Sequence, residues 1–221
     1  MALSYRLLSI ANLIAKKKVV VDIGFDHAKL LIYLSEKKQM LKGYGIEKAH
    51  GPYLHGLQNA QNANLEKKIK LYFLNDVKNF KFLYKANYIV VSGLGCSTTI
   101  DILEKYKKYL LKKKIIIQLS EVTQTWKLRE FMLNNKFKIV DEEFFQDGEE
   151  FYINIVCKKT LFNQKFNDFD LVIGPILKNE NNVIYQTYLN KYLKLREEQH
   201  YDSSLKQRDL VIIREWIFQK F

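Results

Sequence analysis

Only two of the 221 residues are cysteine, Cys96 and Cys157, and they match neither a zinc-ligand spacing nor C-x-x-C. That scarcity excludes a disulfide framework and fits a reducing, cytoplasmic setting. No run of 18 apolar residues occurs, so no membrane-spanning helix is expected. The opening MALSYRLLSIANLIAKKK is amphipathic, but Lys16–Lys18 follow its apolar stretch, the reverse of a secretory signal. Histidine is also sparse. His27, His50, His55 and His200 include no i,i+4 pair, and no Cys/His pair has ligand spacing, so no metal is expected. His50 and His55 read as surface residues of a helix start. Cys96 has no base partner in the sequence and reads as packing, not as a nucleophile. Internal repeats and low-complexity segments are absent too.

Arginine is scarce, 5 against 31 lysines, yet the chain carries a net charge of +12. Residues 1–160 hold 27 Lys/Arg against 16 Asp/Glu, whereas residues 161–221 hold 9 against 8. The excess therefore sits in the first part, where it could steer a polyanion through phosphate contacts. A lysine-rich composition with much Asn, Ile, Phe and Tyr also follows from an AT-rich genome, so charge alone leaves nucleic acid open.

Five short apolar runs alternate with helical patterns: KVVVDIG, KGYGIE, IKLYFLN, ANYIVVSGLG and KKIIIQLS. Helices are expected at 28–37, 52–62, 77–84, 98–111 and 126–135. Continuous Val/Ile runs are buried on both faces, which implies a parallel sheet covered by helices. Residues 138–143 and 150–158 predict a closing hairpin around Gln146-Asp147-Gly148. The fold class expected is α/β, a doubly wound, Rossmann-like sheet ending in an antiparallel pair. Residues 1–160 make the first domain. After it, LFNQKFNDFDLVIGPIL looks irregular, and residues 161–221 form a linker and a C-terminal helical hairpin, 181–199 and 204–220. The break falls at His200–Ser203. The first of these helices is expected to present Ile184, Tyr188, Tyr192 and Leu195, the second Leu205, Val211, Ile212, Trp216 and Ile217.

In such a sheet ligands bind at the carboxyl ends of the strands. Read in order, those ends are Asp22-Ile-Gly24-Phe-Asp26-His27, Glu47, Asn75-Asp76, Ser92-Gly93-Leu-Gly95 and Gln118-Leu-Ser120. Each is polar or small where its strand was apolar. A pyrophosphate turn wants G-x-G-x-x-G with amides facing the phosphate; here two carboxylates would repel it, which disfavours a dehydrogenase. Carboxylates suit a ligand with a cationic end, and an acid after the second strand suits ribose hydroxyls. S-adenosylmethionine has both groups and no phosphate. A D-x-G turn with an acid 25 positions on is the usual layout of class I methyltransferases. The plainer reading has Gly24 as a turn glycine and Asp22 satisfied by backbone amides. Gly93 and Gly95 either clear room for a ligand or shape a strand-to-helix turn.

The strings LSYRLLSIANLI, VDIGFDHAKLLIYL, IEKAHGPYLHGLQNA, VVSGLG and IGPIL, in that order, resemble the bacterial tRNA (adenine-22, N1)-methyltransferases. The resemblance runs from Leu3 to about Leu177, with the tail as a counterpart of that family's C-terminal coiled coil. It implies a class I fold, S-adenosylmethionine as donor and methylation of adenine N1 in the D-arm region of tRNA. Carried over by position, Asp22, Gly24, Asp26, His27, Glu47, Asn75, Asp76 and Gly93 line the cofactor pocket. Glu47 would hold the ribose and Asp76 the adenine amino group. Arg6 sits in the family's L-S-x-R-L opening and could reach RNA. Three departures stand out: G-M-G-G reads G-L-G-C, with Cys96 for glycine; N-G reads Asn75-Asp76; and L-Q-P-N reads Ile117-Gln118-Leu119-Ser120.

Adenine N1 attacks a sulfonium methyl without prior deprotonation, so positioning and base extrusion are the enzyme's main tasks. The product ring is cationic, which makes Asp26 the candidate catalytic carboxylate; the competing role is binding the methionine amino group. The [DNS]-P-P-[YFW] string of N6 enzymes is missing at Ser92–Gly95. Phe25 and Tyr53 are candidates for stacking on the base, or are core. Arg6, Lys29 and Lys48 are best placed for RNA, whereas the lysine runs 16–18, 67–68 and 112–114 precede strands at the far rim. The nearly neutral tail would clamp RNA by shape or pack on a partner. A monomer is favoured. The alternatives are a methyltransferase of a small molecule or protein, and a tRNA-binding protein of the same fold without turnover.

Overall fold

The apolar runs become strands because Val and Ile suit a pleated surface covered on both sides. The computed structural model describes residues 3–77, 79–162, 165–198 and 204–220. Among them β1 (Lys18–Ile23), β2 (Met40–Glu47), β3 (Ile69–Phe73), β4 (Tyr88–Ser92), β5 (Lys114–Leu119), β6 (Phe137–Asp147) and β7 (Glu150–Lys159) form one sheet. Its order is β3-β2-β1-β4-β5-β7-β6. The first five strands run parallel; β7 is antiparallel to β5 and to β6. Strand order reverses between β1 and β4, which places the topological switch point beside the end of β1.

Alternate strand residues feed two apolar layers. Val21, Ile23, Ile89, Val91, Ile115 and Ile117 face one layer, and Val20, Val90, Ile116 and Val156 the other. The second layer is roofed by α1 (Tyr5–Asn12) and α2 (Lys29–Glu36). Helices α3 (His50–Asn62), α4 (Phe82–Lys85), α5 (Cys96–Tyr106) and α6 (Thr125–Asn134) complete the alternation. The third expected helix shrinks to α4, because Leu74–Asp76 close into a 3-10 turn directly after β3. The stretch read as irregular contains α7 (Asp168–Val172), where Asn167 and Asp170 form a reciprocal capping box.

Two long helices follow, α8 (Val183–Glu198) and α9 (Ser204–Lys220); the expected break at His200–Ser203 lies outside the described residues. The apolar face expected for α8 is corrected. Ile184 and Leu195 are 45% and 46% exposed, whereas Tyr185, Leu189 and Leu193 are buried. Tyr188 and Tyr192 pack at the flank of that stripe. In α9 Ile212, Ile213 and Trp216 are buried and Val211 is exposed; the side chain of Leu205 lies outside the described residues. These buried residues join the same apolar cluster as the sheet.

A buried ion pair fastens the connecting segment. Arg129 and Glu142 are both fully enclosed, with Nη2 and Nε of the arginine 2.8 and 3.0 Å from Oε1. Arg129 Nη1 also donates to the carbonyls of Leu171 and Val172, and Glu142 Oε2 accepts from the Ile176 amide. Gly174 passes over this pair at φ +119°. Farther on, Trp216 Nε1 donates to the Lys178 carbonyl at 2.9 Å.

Candidate active site

β1 ends by pushing a carboxylate into the core. Asp22 is 3% exposed, and its Oδ1 has no hydrogen-bond partner. Backbone amides therefore leave this oxygen unsatisfied, against the plainer reading of the turn. Burial pushes the carboxyl up to about 7; Arg6 pulls it down, while Glu47 and Asp26 push it further up. An orphaned buried carboxylate costs free energy unless a donor or cation arrives. A positive group placed beside it would relieve that cost.

The turn after Asp22 is held open by backbone geometry. Gly24 has φ +78°, and a Cβ there would stand 2.9 Å from Leu94 Cδ1. His27 and Ala28 follow at φ 53° and 59°, two consecutive left-handed residues without glycine's freedom. Such positions cost of order 1 kcal/mol or more each and persist only where neighbours fix them. Here Asn59 Nδ2 donates to the His27 carbonyl at 3.0 Å, and the His27 ring stacks on His55 with centroids 5.1 Å apart.

Asp26 faces three basic groups: Arg6 Nη2 at 3.5 Å, His27 Nε2 at 3.3 Å and Lys29 Nζ at 3.4 Å. Arg6, expected to face RNA, is turned into the site with its side chain 19% exposed. Its Nη1 donates to Gln118 Oε1 at 3.3 Å, and Gln118 Nε2 donates back to the Arg6 carbonyl at 2.9 Å. Gln118 Nε2 also donates to Asn154 Oδ1, and Asn154 Nδ2 to Ser9 Oγ and Glu143. Gln118, Asn154 and Ser9 are buried. This chain fixes Arg6 across the end of β5. Ser9 and Asn154 escaped the sequence reading. The available signal was a lone polar residue inside an apolar run, Gln118 in KIIIQL and Asn154 in YINIV.

At the neighbouring strand, Glu47 Oε1 accepts from the amides of Lys48 and Ala49 at 2.7 and 2.8 Å. The carboxylate thus lies on the turn that leads into α3, near the helix N-terminus, where the helix dipole favours negative charge. Asn75 and Asp76 are exposed on the 3-10 turn after β3. Gly93, at φ +70°, has open space where a Cβ would point. Lys48 is exposed, and Lys29 is held by Asp26. Arg6, Asp26 and Glu47 all act electrostatically on Asp22; among the described residues Asn75 and Asp76 make no direct polar contact with these four.

Cys96 neither strains nor narrows the site. It begins α5 fully buried, with Sγ against the Gln124 carbonyl at 3.3 Å and its amide donating to Glu121 Oε2 at 3.2 Å. Phe25, a stacking candidate, is core: it is wholly buried and fills the space a Cβ would need at Gly45 and Gly56. Tyr53 is half-buried against His50 and Phe73. Among the described residues no cluster of His, Cys, Asp and Glu could hold a metal ion, and no helix is long and apolar enough to cross a membrane.

Residues 3–155 match the methyltransferase domain family. The chain belongs to that family. It is similar to the tRNA (adenine(22)-N(1))-methyltransferase of Bacillus subtilis, 25% identical over 209 residues, or 93% of this chain and 85% of that one. The structure of M. capricolum TrmK with S-adenosyl-homocysteine bound superposes with a TM-score of 0.84 at 25% identity, covering 99% of both chains. Streptococcus pneumoniae Sp1610 with S-adenosyl-L-methionine bound has the same fold, with a TM-score of 0.88 at 24% identity over 98% of this chain and 100% of that one. The match extends through α8 and α9, beyond the methyltransferase domain itself. For this family the features above fit a methionine-bearing nucleoside: a buried carboxylate at Asp22, a bent glycine turn, an acid after β2 and clear space at Gly93.

Proposed function

We propose that this chain transfers a methyl group from S-adenosylmethionine to N1 of adenine 22 in tRNA. The observation that carries the reading is the buried, unpartnered Oδ1 of Asp22 at the switch point of the sheet. It has the charge and the place to receive a methionine ammonium. Similarity to a tRNA (adenine(22)-N(1))-methyltransferase over 93% of the chain supplies the substrate.

Bound there, S-adenosylmethionine would supply an electrophilic sulfonium methyl: the adenine N1 lone pair would form the new N–C bond in line as the S–C bond breaks and S-adenosylhomocysteine leaves. The chain's own residues position the two reactants. Asp22 binds the ammonium, and its burial makes that contact strong because no water competes. Arg6, clamped by Gln118 and Asp26, presents a guanidinium suited to the methionine carboxylate. Glu47 has Oε1 committed to the amides of Lys48 and Ala49, which aims the carboxylate at the ribose hydroxyls. Asn75 and Asp76 flank the adenine of the donor, and Gly24, His27 and Gly93 shape the walls. Asp26 is already compensated by Arg6 and Lys29, so its assigned task is to hold both over the pocket. Positive charge passes from sulfur to the adenine ring as the bond forms. A carboxylate stabilising that charge would act on the rate rather than on cofactor affinity. Lys48 and Lys29 stand at the rim for the phosphates of the D-arm region. Residues 1–160 carry the donor site, and 161–221 form the accessory part.

Methyl transfer from labelled S-adenosylmethionine to two tRNA transcripts differing only in adenine or guanine at position 22 tests the proposal. Label on the adenine transcript alone is expected. Equal label on both would reject the position, and label on neither, with cofactor bound, would reject the activity.

A further inference from the structure

The edge of the sheet beside β3 carries an open concavity of about 450 Å³. Four lysines line it: Lys42 from β2, Lys70 from β3, and Lys81 and Lys85 from the α4 region. Strand pairing sets Lys70 beside Tyr44 and Tyr72 beside Ile46, so side chains distant in sequence share one face. Tyr44, Phe82 and Tyr72 stack beneath the lysines, with Phe82 between the two tyrosines at 5.1 and 4.9 Å. Tyr44 is buried in this stack and Tyr72 remains half-exposed.

Lys42 Nζ lies over the Tyr44 ring, 6.0 Å from its centroid, and the other three charges are unspent among the described residues. Lys29, Lys107 and Lys178 pair with carboxylates, and Lys68, Lys113 and Lys159 donate to carbonyls. Among the described residues none of the four groove ammonium groups has a carboxylate or carbonyl partner. The acid lining the groove is Asp76, which follows β3 at the carboxyl end of the sheet, beside the donor site. At about 3.3 Å per residue, the run from Lys42 to the end of β2 is about 16 Å long. That suffices for a few nucleotides of extended backbone.

We infer that this groove is a second RNA contact, a track for the phosphates of a single-stranded stretch of the substrate that leads to the target adenine. Unpaired lysines meet a polyanion favourably because each phosphate contact releases counterions. The half-exposed Tyr72 offers a base a stacking face without sequence preference. The track adds to Arg6, Lys29 and Lys48, the residues expected to be best placed for RNA. It gives part of the basic excess of residues 1–160 a location. The inference rests on tRNA being the substrate.

The test compares wild type with the full-length variants K70Q/K81Q/K85Q and K16Q/K17Q/K112Q, the latter removing equal charge from exposed positions before β1 and β5. The tRNA dissociation constant is measured against KCl concentration, together with KM for tRNA, kcat and S-adenosylmethionine affinity. At about 0.7 per phosphate on a single strand, the groove variant should lower the log–log salt slope by about two. Its KM for tRNA should rise about tenfold or more, with kcat and cofactor affinity within about twofold. The second variant should keep the wild-type slope. An unchanged slope and KM in the groove variant would overturn the inference, as would equal losses in both variants. A wild-type protein that binds cofactor but no tRNA would instead overturn the function on which the track depends.

Discussion

Replacing Asp22 by asparagine should make this protein more stable and useless. The folded carboxyl sits at about 7, against 3.8 for an unburied one. Its folded pKa lies above the unfolded value, so the native state holds the proton more tightly. The group's stability is therefore fully present at low pH and lost as pH rises from about 4 to about 7. Three units at 1.36 kcal/mol each make a cost of about 4 kcal/mol at pH 8. Asparagine removes the charge but leaves a buried amide short of partners, which returns about 1–3 kcal/mol. The net gain at pH 8 is then about 2 kcal/mol, or about 5 °C in Tm for a chain of this size. At pH 5 most of that gain should vanish, because the wild-type carboxyl is protonated there. S-adenosylmethionine should raise the Tm of wild type and leave Asp22→Asn unmoved, since binding to the folded state alone stabilises it. For wild type, cofactor affinity should fall about tenfold per pH unit below 7, as protons compete with the ammonium. Thermal scans at pH 5 and pH 8, with and without cofactor, check all of this. An Asp22→Asn protein less stable than wild type at pH 8, or equally stabilised at both pH values, would rule out a costly buried charge at Asp22.

Asp26→Asn should weaken cofactor binding about tenfold with little separate loss of kcat, because it releases Arg6 and Lys29. Single-turnover rates at saturating cofactor check this, and a large loss there would restore a catalytic role. Gly174→Ala should cost about 3–5 kcal/mol by urea denaturation. Its Cβ would lie 2.5 Å from Glu142 Oε2 and 2.7 Å from Arg129 Nη2, at φ +119°, inside a pair that cannot be broken cheaply. Cys96→Ala should lower stability by about 1 kcal/mol and keep kcat within about twofold, since the thiol is a buried core group whose hydrogen bond runs to the backbone at Gln124. Burial raises the pKa of both Cys96 and Cys157, so Ellman's reagent should find no fast thiol until the chain unfolds.

The sheet and the turn after β1 were legible because their signals are local. A Val/Ile run bounded by lysine on one side and by Asp22-Ile-Gly24 on the other has few uses besides a buried strand ending at a ligand. Length and alternation then fixed the succession of elements, and the resemblance of the D-I-G-F-D-H-A turn to a known family fixed the chemistry. Helix faces in the tail were not legible. A row at 184, 188, 192 and 195 and a row at 185, 189 and 193 satisfy helical spacing equally. Packing of Tyr185 on Phe144 of β6 and on Trp216 of α9 selected the second. Pairings between distant residues were equally hidden. Nothing in the sequence draws Arg6 toward Gln118, 112 positions away, or joins Arg129 to Glu142. The lysine track exists only because β2 and β3 lie side by side and Phe82 folds back between two tyrosines. A sequence sets the charge, polarity and spacing of its side chains, which suffice for strands and turns made by neighbours. Which charges stay unpaired and which carboxylate is stranded without a donor depends on what the closed fold brings together, and that only the tertiary structure decided.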